Sequence, residues 1–284
     1  MGPGELILAL SCPDRRGIVY AVARVIADGG GNIVDSQQFG DPDEGVFFMR
    51  VHFTDEEQTG VEAWRASIGR VADEFGMRWE LHDGNHRPRI LVAVSREGHC
   101  LNDLMYRWRS GAIVADIVGV ASSLPDHAAL VAGYGLPYRI LPGPEADAGA
   151  RDRALLALVE EHDVELTVLA RYMQVLGTEA CRALAGRAIN IHHSFLPSFK
   201  GARPYAQAHA RGVKLIGATA HYVTEELDSG PIIEQEVARV DHAHSVAELA
   251  RVGRDVECVA LARAVRWHVE HRILLHGDRT VVFR

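Results

Sequence analysis

In the first part of the chain, short apolar runs alternate with turn residues. Glu5–Leu10 reads as a strand that ends in the turn Cys12-Pro-Asp-Arg-Arg-Gly17. Ile18–Ala27 carries apolar residues at helical spacing until Gly29-Gly30-Gly31 stops it. Two strands, Asn32–Phe39 and Val46–Phe53, flank the turn Gly40-Asp-Pro-Asp-Glu-Gly45; Val61–Phe75 is a second helix and Met77–Leu81 a closing strand. The order βαββαβ predicts a ferredoxin-like domain. The polar stretch Asp83-Gly-Asn-His-Arg-Pro88 breaks the pattern, so the reading divides the chain into residues 1–84 and 85–284.

Beyond the break the units lengthen. A continuous apolar strand at Ile90–Val94 and further, largely apolar strands at Ile113–Ala121, Tyr138–Leu141, Leu166–Ala170 and Ala188–His192 alternate with helices near Leu101–Arg109, from Asp126 and over Leu155–Glu161. Strands without a polar face, separated by helices, predict an α/β domain: a doubly wound, mostly parallel Rossmann-like sheet covered on both sides. In such sheets ligands sit outside the carboxyl ends of the strands, where the strand order reverses. Lys214–Val223 and Ile232–Val240 add two strands, Ser245–His271 a long helix and Thr280–Phe283 a final strand.

Composition narrows the function classes. An apolar share of 48% and a charged share of 24% are those of a globular protein, and no run approaches the roughly 18–20 apolar residues of a membrane span. The N-terminus lacks the features of a signal peptide, so the expected location is cytoplasmic. A net charge of -8 without a basic block argues against nucleic acid as a partner. Cys12, Cys100, Cys181 and Cys258 are too scattered for a disulfide framework or zinc knuckle and read as reduced, mostly buried thiols. His242 and His244 form an H-x-H with no third ligand nearby; the readings are a metal site or a helix-entry loop.

Candidate chemistry concentrates near strand ends. Asn190 and His192 close one strand, and the two-residue pleat puts both side chains on one face. Asp228 lies in the turn Glu226-Leu-Asp-Ser-Gly-Pro231 between two strands. An amide donor, an imidazole and a carboxylate suffice for acyl transfer: the first two stabilise an oxyanion and the third orients a base or nucleophile. The bland alternative is a strand-end cap and a turn aspartate. No G-x-S-x-G elbow and no G-x-G-x-x-G fingerprint accompany the set.

Two longer segments carry a resemblance. Asn190-Ile-His-His-Ser-Phe-Leu-Pro-Ser-Phe-Lys-Gly-Ala-Arg-Pro-Tyr205 and Gly217-Ala-Thr-Ala-His-Tyr-Val-Thr-Glu-Glu-Leu-Asp-Ser-Gly-Pro-Ile-Ile-Glu-Gln235 resemble the signatures of the 10-formyltetrahydrofolate-dependent formyltransferases and hydrolases. Over nearly its whole length the chain is similar to the formyltetrahydrofolate deformylase branch, with an ACT-like regulatory domain before the catalytic one. The resemblance implies hydrolysis of 10-formyltetrahydrofolate to formate and tetrahydrofolate, which supplies formate and balances one-carbon folate pools for purine biosynthesis. It implies no cofactor, metal or covalent intermediate, reduced folate being the substrate. Asn190 would bond the formyl oxygen, His192 would act as general acid and oxyanion stabiliser, and Asp228 would position the water and keep His192 protonated. Arg171, Met173, Gln174, Val175, Leu176, Thr224, Glu225, Glu226 and Leu227 would line the folate site, largely through backbone. His221 reads either as a partner of Asp228 or as a strand histidine filling a polar gap.

The acceptor is the open choice. In the transferase to glycinamide ribonucleotide, the turn after the first strand is Gly-rich and holds phosphate; here it is Val94-Ser-Arg-Glu-Gly-His-Cys-Leu101. Glu97 and His99 suit a phosphate poorly, which favours water; His99 would limit access, touch the water or cap a helix. The rivals are formyl transfer to an amine such as glycinamide ribonucleotide, or a non-catalytic amino-acid sensor. By resemblance the ACT-like domain takes glycine or methionine as effector at Gly17, Asn32 and Ile33, and pairs sheet edges into a homo-oligomer. The role of Lys200 stays open.

Overall fold

The computed structural model describes residues 4–143, 146–196 and 204–284, without the side chains of 148 and 204; Lys200 lies outside them. The chain divides into two compact units. The first is built as its hydrophobic pattern predicts: β1 (Gly4–Pro13), α1 (Ile18–Asp28), β2 (Gly31–Asp41), β3 (Val46–Asp55), α2 (Val61–Phe75) and β4 (Arg78–Asp83). Its antiparallel sheet has the order β2-β3-β1-β4. Leu8, Leu10, Val51 and Phe53 on one face meet Val22, Ile26, Trp64 and Ile68 of the helices in the core. Burying each such side chain contributes about 1.5–3 kcal/mol.

The sequence reading places everything after the boundary in the second domain. The structure returns Glu270–His276 and Val281–Arg284 to the first unit, which otherwise ends at His86. Buried Arg50 is the reason: its guanidinium donates to the carbonyls of Glu270 at 3.0 Å and His271 at 3.1 Å. Leu274 and Phe283 then pack on Phe48.

The second unit comprises β5 (Arg89–Val94), α3 (His99–Arg109), β6 (Asp116–Ser122), α4 (Ala128–Gly133), β7 (Tyr138–Ile140), α5 (Ala148–Glu161), β8 (Leu166–Ala170), α6 (Thr178–Ala183), β9 (Ala188–His192), α7 (Pro204–Ala210), β10 (Leu215–Tyr222), β11 (Ile232–Arg239) and α8 (Val246–Val269). The sheet runs β11-β10-β9-β8-β5-β6-β7. Strands β7, β6, β5, β8 and β9 are parallel; β10 runs antiparallel to both of its neighbours, β9 and β11. The chain builds outward from β5 through β6 to β7, then crosses back to β8 on the other side. The order therefore reverses between β5 and β8.

The short helices α6 and α7 and the strand β12 (Ile273–His276) carry no periodicity that separates them from loops; β13 (Arg279–Val282) is the expected final strand and pairs with β12, and the long helix stops at Val269. All four cysteines are free. The His242/His244 motif is a helix entry: His244 Nδ1 meets Asp241 Oδ1 at 2.8 Å, and Ser245 and Glu248 form a capping box. Among the described residues no helix is long and apolar enough to cross a membrane.

Candidate active site

The carboxyl ends of β8 and β9 open onto a cavity of about 660 Å³ in the second unit. Asn190, His192 and Asp228 line it, together with His221 and all nine residues expected at the folate site. One wall is the segment after β8, which begins with Arg171 at a positive φ of 60°. Two buried side chains fix that segment: the Met173 N–H donates to Ser95 Oγ at 3.0 Å, and the Gly177 N–H to Asp152 Oδ2 at 2.7 Å. With the backbone held from behind, Met173 and Val175 stay 57% and 63% exposed, apolar surface turned outward rather than into the core.

The opposite wall is the turn between β10 and β11. It folds back so tightly that a Cβ on Gly230 would lie 1.8 Å from the carbonyl oxygen of Tyr222, so this position requires glycine. Asp228 sits in this turn with φ 53°, left-handed backbone that Asp and Asn tolerate better than most residues. Its Oδ2 is 3.2 Å from His192 Nδ1 and its Oδ1 is 3.8 Å from His221 Nε2. The contacts with His192 and then His221 hold the Asp228 carboxyl well below the ordinary carboxylate range, so it is ionised at neutral pH.

Two further groups complete the set beside Asp228. His221 Nδ1 lies 2.9 Å from the Tyr222 carbonyl and its Nε2 lies 3.2 Å from the Asn190 amide nitrogen, so the imidazole holds that amide in place. His192 is 6% exposed; with Nδ1 on Asp228, its Nε2 has no partner among the described residues. Of the two readings of His221, the geometry carries the first: it touches both Asn190 and Asp228.

Not every predicted residue joins this group. His99 does not line the cavity, and its helix lacks a side-chain cap; instead its Nε2 meets the buried Glu257 carboxylate at 2.6 Å. The expectation that His99 touches the site or caps α3 is corrected accordingly. Gly17 lines a cleft between α1 and α2 in the first unit, whereas Asn32 and Ile33 lie exposed on β2, outside that cleft. His193 and Tyr205 line the cavity and had no assigned role, though both fall inside the motif around Asn190. Their signal was only their place in that motif.

One group among the described residues has metal-ligand spacing: His99, Cys100 and Glu257, with ligand atoms within 4.8 Å of one another. Its chemistry does not fit a divalent cation. Contact with Cys258, reinforced by burial, pushes the Cys100 thiol well above its ordinary value, and the Arg171 guanidinium lies 3.3 Å from the same carboxylate.

A doubly wound sheet, an apolar cavity at its strand ends and an amide–imidazole–carboxylate set at the cavity floor define the class. Residues 88–265 match the formyl transferase family model and residues 6–65 the ACT domain. The formyltetrahydrofolate deformylase of Corynebacterium sp. (strain P-1) is 47% identical, covering 98% of each chain. The crystal structure of formyltetrahydrofolate deformylase from Burkholderia mallei superposes with a TM-score of 0.93 at 49% identity, covering 99% of this chain and 100% of that one. Glycinamide ribonucleotide transformylase 1 from Symbiobacterium toebii covers 72% of this chain and 98% of its own, at 30% identity and a TM-score of 0.67. The chain belongs to the formyltetrahydrofolate deformylase family.

Proposed function

We propose that the chain hydrolyses 10-formyltetrahydrofolate to formate and tetrahydrofolate. The observation that carries this is the grouping of Asn190, His192 and Asp228 at one end of an apolar cavity large enough for a fused-ring ligand. In this reading the pterin lies against the 171–177 segment and the 224–227 turn. The formyl oxygen then accepts from the Asn190 amide and from His192 Nε2–H. Asp228, ionised, accepts a hydrogen bond from the attacking water and pairs with the imidazolium. Water oxygen bonds to the formyl carbon, the bond from that carbon to the folate nitrogen breaks, and the proton the water gives up passes by way of the Asp228–His192 pair to the leaving nitrogen. Every proton donor this sequence of steps needs is a side chain lining the cavity, so no cofactor enters the proposal.

The decisive experiment supplies purified protein with 10-formyltetrahydrofolate and no amine acceptor. Stoichiometric formate and tetrahydrofolate are expected; intact substrate after long incubation refutes the reading. The first unit is proposed to bind an amino-acid effector, with glycine and methionine as first candidates, and to pair with a second copy. The support is the exposed edge strand β2 and the ACT match.

A further inference from the structure

The place where a doubly wound sheet ordinarily receives a ligand is the crevice at which strand order reverses, here between β5 and β8. In this protein that crevice is filled by its own side chains. The segment after β8 sends in Arg171 and the helix after β5 sends in His99; both meet Glu257 of α8, which is 1% exposed. The Arg171 Nε lies 3.3 Å from Glu257 Oε2, and His99 Nε2 lies 2.6 Å from the same oxygen. Tyr205 donates its hydroxyl to Oε1 at 2.6 Å, and it has room to do so only because α8 carries Gly253 one turn earlier, where a Cβ would lie 2.0 Å from that hydroxyl. Burial pushes the Tyr205 hydroxyl up, so it remains a donor. Burial would also raise the Glu257 carboxyl, but His99, Arg171 and Tyr205 together bring it below its ordinary value.

The turn leading into this crevice is closed as well. The His127 ring packs where a side chain on Gly98 would go, 2.4 Å from that Cβ position, and its Nε2 bonds the carbonyls of Ser95 at 3.0 Å and Arg96 at 3.2 Å. Those carbonyls are thereby turned inward against His127. Toward the cavity, Arg171, His193 and Tyr205 form the wall, while Glu257 and His99 lie behind it. The cluster reaches the reacting groups through one layer: Arg171 Nη1 is 2.6 Å from His193 Nδ1, and the His193 ring stacks on His192 at 4.9 Å.

We propose that the His99–Glu257–Arg171–Tyr205 cluster occupies the position a second substrate would take, and thereby restricts the formyl group to water. This rests on the hydrolytic reading of the cavity and names what enforces it. A phosphate-bearing acceptor faces a buried carboxylate there; a neutral amine faces a filled, ion-paired site it must first pull apart. If the cluster is trimmed, a small amine is expected to reach the formyl carbon. Its nitrogen then bonds to that carbon, the bond to the folate nitrogen breaks, and the amine's proton passes to that nitrogen.

The test measures product partition with 10-formyltetrahydrofolate and a high concentration of glycinamide in mildly alkaline buffer. Wild type is expected to release formate alone. His99→Ala and Glu257→Ala, which remove volume, are expected to divert product to N-formylglycinamide, raising the ratio of amide to formate by about tenfold or more, a modest change in relative barrier. Glu257→Gln, which keeps the volume and loses the charge, is expected to give formate only. The proposal fails if folded, formate-releasing His99→Ala and Glu257→Ala make no more amide than wild type. It fails equally if Glu257→Gln matches Glu257→Ala. Should Glu257→Ala not fold, His99→Ala decides alone, since it leaves Tyr205 and Arg171 on the carboxylate. Absence of formate from wild type would instead refute the hydrolytic reading.

Discussion

At the carboxyl ends of β8 and β9 the protein builds two adjoining regions of opposite character. Toward β10 lies an open cavity whose walls present Met173, Val175 and Leu227 to solvent, the last 61% exposed. Toward β5 lies a filled pocket in which one guanidinium, an imidazole and a phenol gather on a single buried carboxylate. Apolar surface held in the open gains nothing from the protein itself and gains from a flat ligand. A buried ionic cluster whose partners are all internal offers a ligand little, because entry breaks pairs that are costly to leave unmade. The same fold in the glycinamide ribonucleotide transformylase neighbour shows that this architecture also occurs in an enzyme named for formyl transfer. The difference between hydrolysis and transfer is then sought at β5, not at the Asn190–His192–Asp228 end.

The sharpest way to break the comparison is at the open end. Asp228→Asn keeps the left-handed backbone at φ 53° and the shape of the side chain, but removes the charge that faces His192. Formate turnover is expected to fall by about 10²–10⁴, the range for losing a positioned acid–base group, with folate binding retained. Turnover within a few-fold of wild type would remove Asp228 from the chemistry. A smaller effect is expected behind the apolar wall. Asp152, 8% exposed, accepts the Gly177 N–H and anchors the segment that carries Met173 and Val175. Asp152→Ala is expected to raise KM by about tenfold and leave kcat nearly unchanged, since it loosens a binding wall that is the same in ground and transition states. A fall in kcat at constant KM would place Asp152 elsewhere in the mechanism.

The open end was legible in the sequence and the filled end was not, for a physical reason. Ile90–Val94 announces itself as a strand buried on both faces because no polar residue interrupts it, Leu166–Ala170 does so with only Thr167 between its apolar residues, and the pleat alone puts Asn190 and His192 on one side. The lining residues 171–176 and 224–227 were reached through resemblance, since backbone-lined walls leave little trace in residue type. The cluster depends on contacts such as His99–Glu257 across 158 residues, and no local pattern reports those. One clue was present: Gly253, Val256, Glu257, Ala260, Leu261 and Ala264 form the buried stripe of α8, and a carboxylate inside an apolar stripe asks for a partner. The return of the chain end to the first unit rests on Arg50, whose burial within a strand gave no hint of its carbonyl partners.

The smallest predicted effect probes the seam between the two regions. His193 stands between them, stacked on His192 and touching Arg171. Burial first, and then the Arg171 charge, lower its pKa from 6.5 to about 4. Between those values the unfolded chain binds a proton that the folded one does not, so stability is present above the higher value and falls as pH drops toward the lower. The loss attributable to this group is at most about 3 kcal/mol, and less to the extent that the ring meets water. The depressed carboxyls of Asp228 and Glu257 act elsewhere on the scale: they add stability above the ordinary carboxylate range and lose it only as pH falls below that range. His193→Gln keeps an acceptor for Arg171 and does not titrate. Denaturant unfolding followed from neutral pH down to about pH 4 should give a flatter profile for the variant than for wild type, with the two curves parallel above the range where free histidine titrates. Parallel curves throughout would mean that His193 takes its proton normally, and that the charge of the filled region does not reach across the seam to the imidazole beside His192.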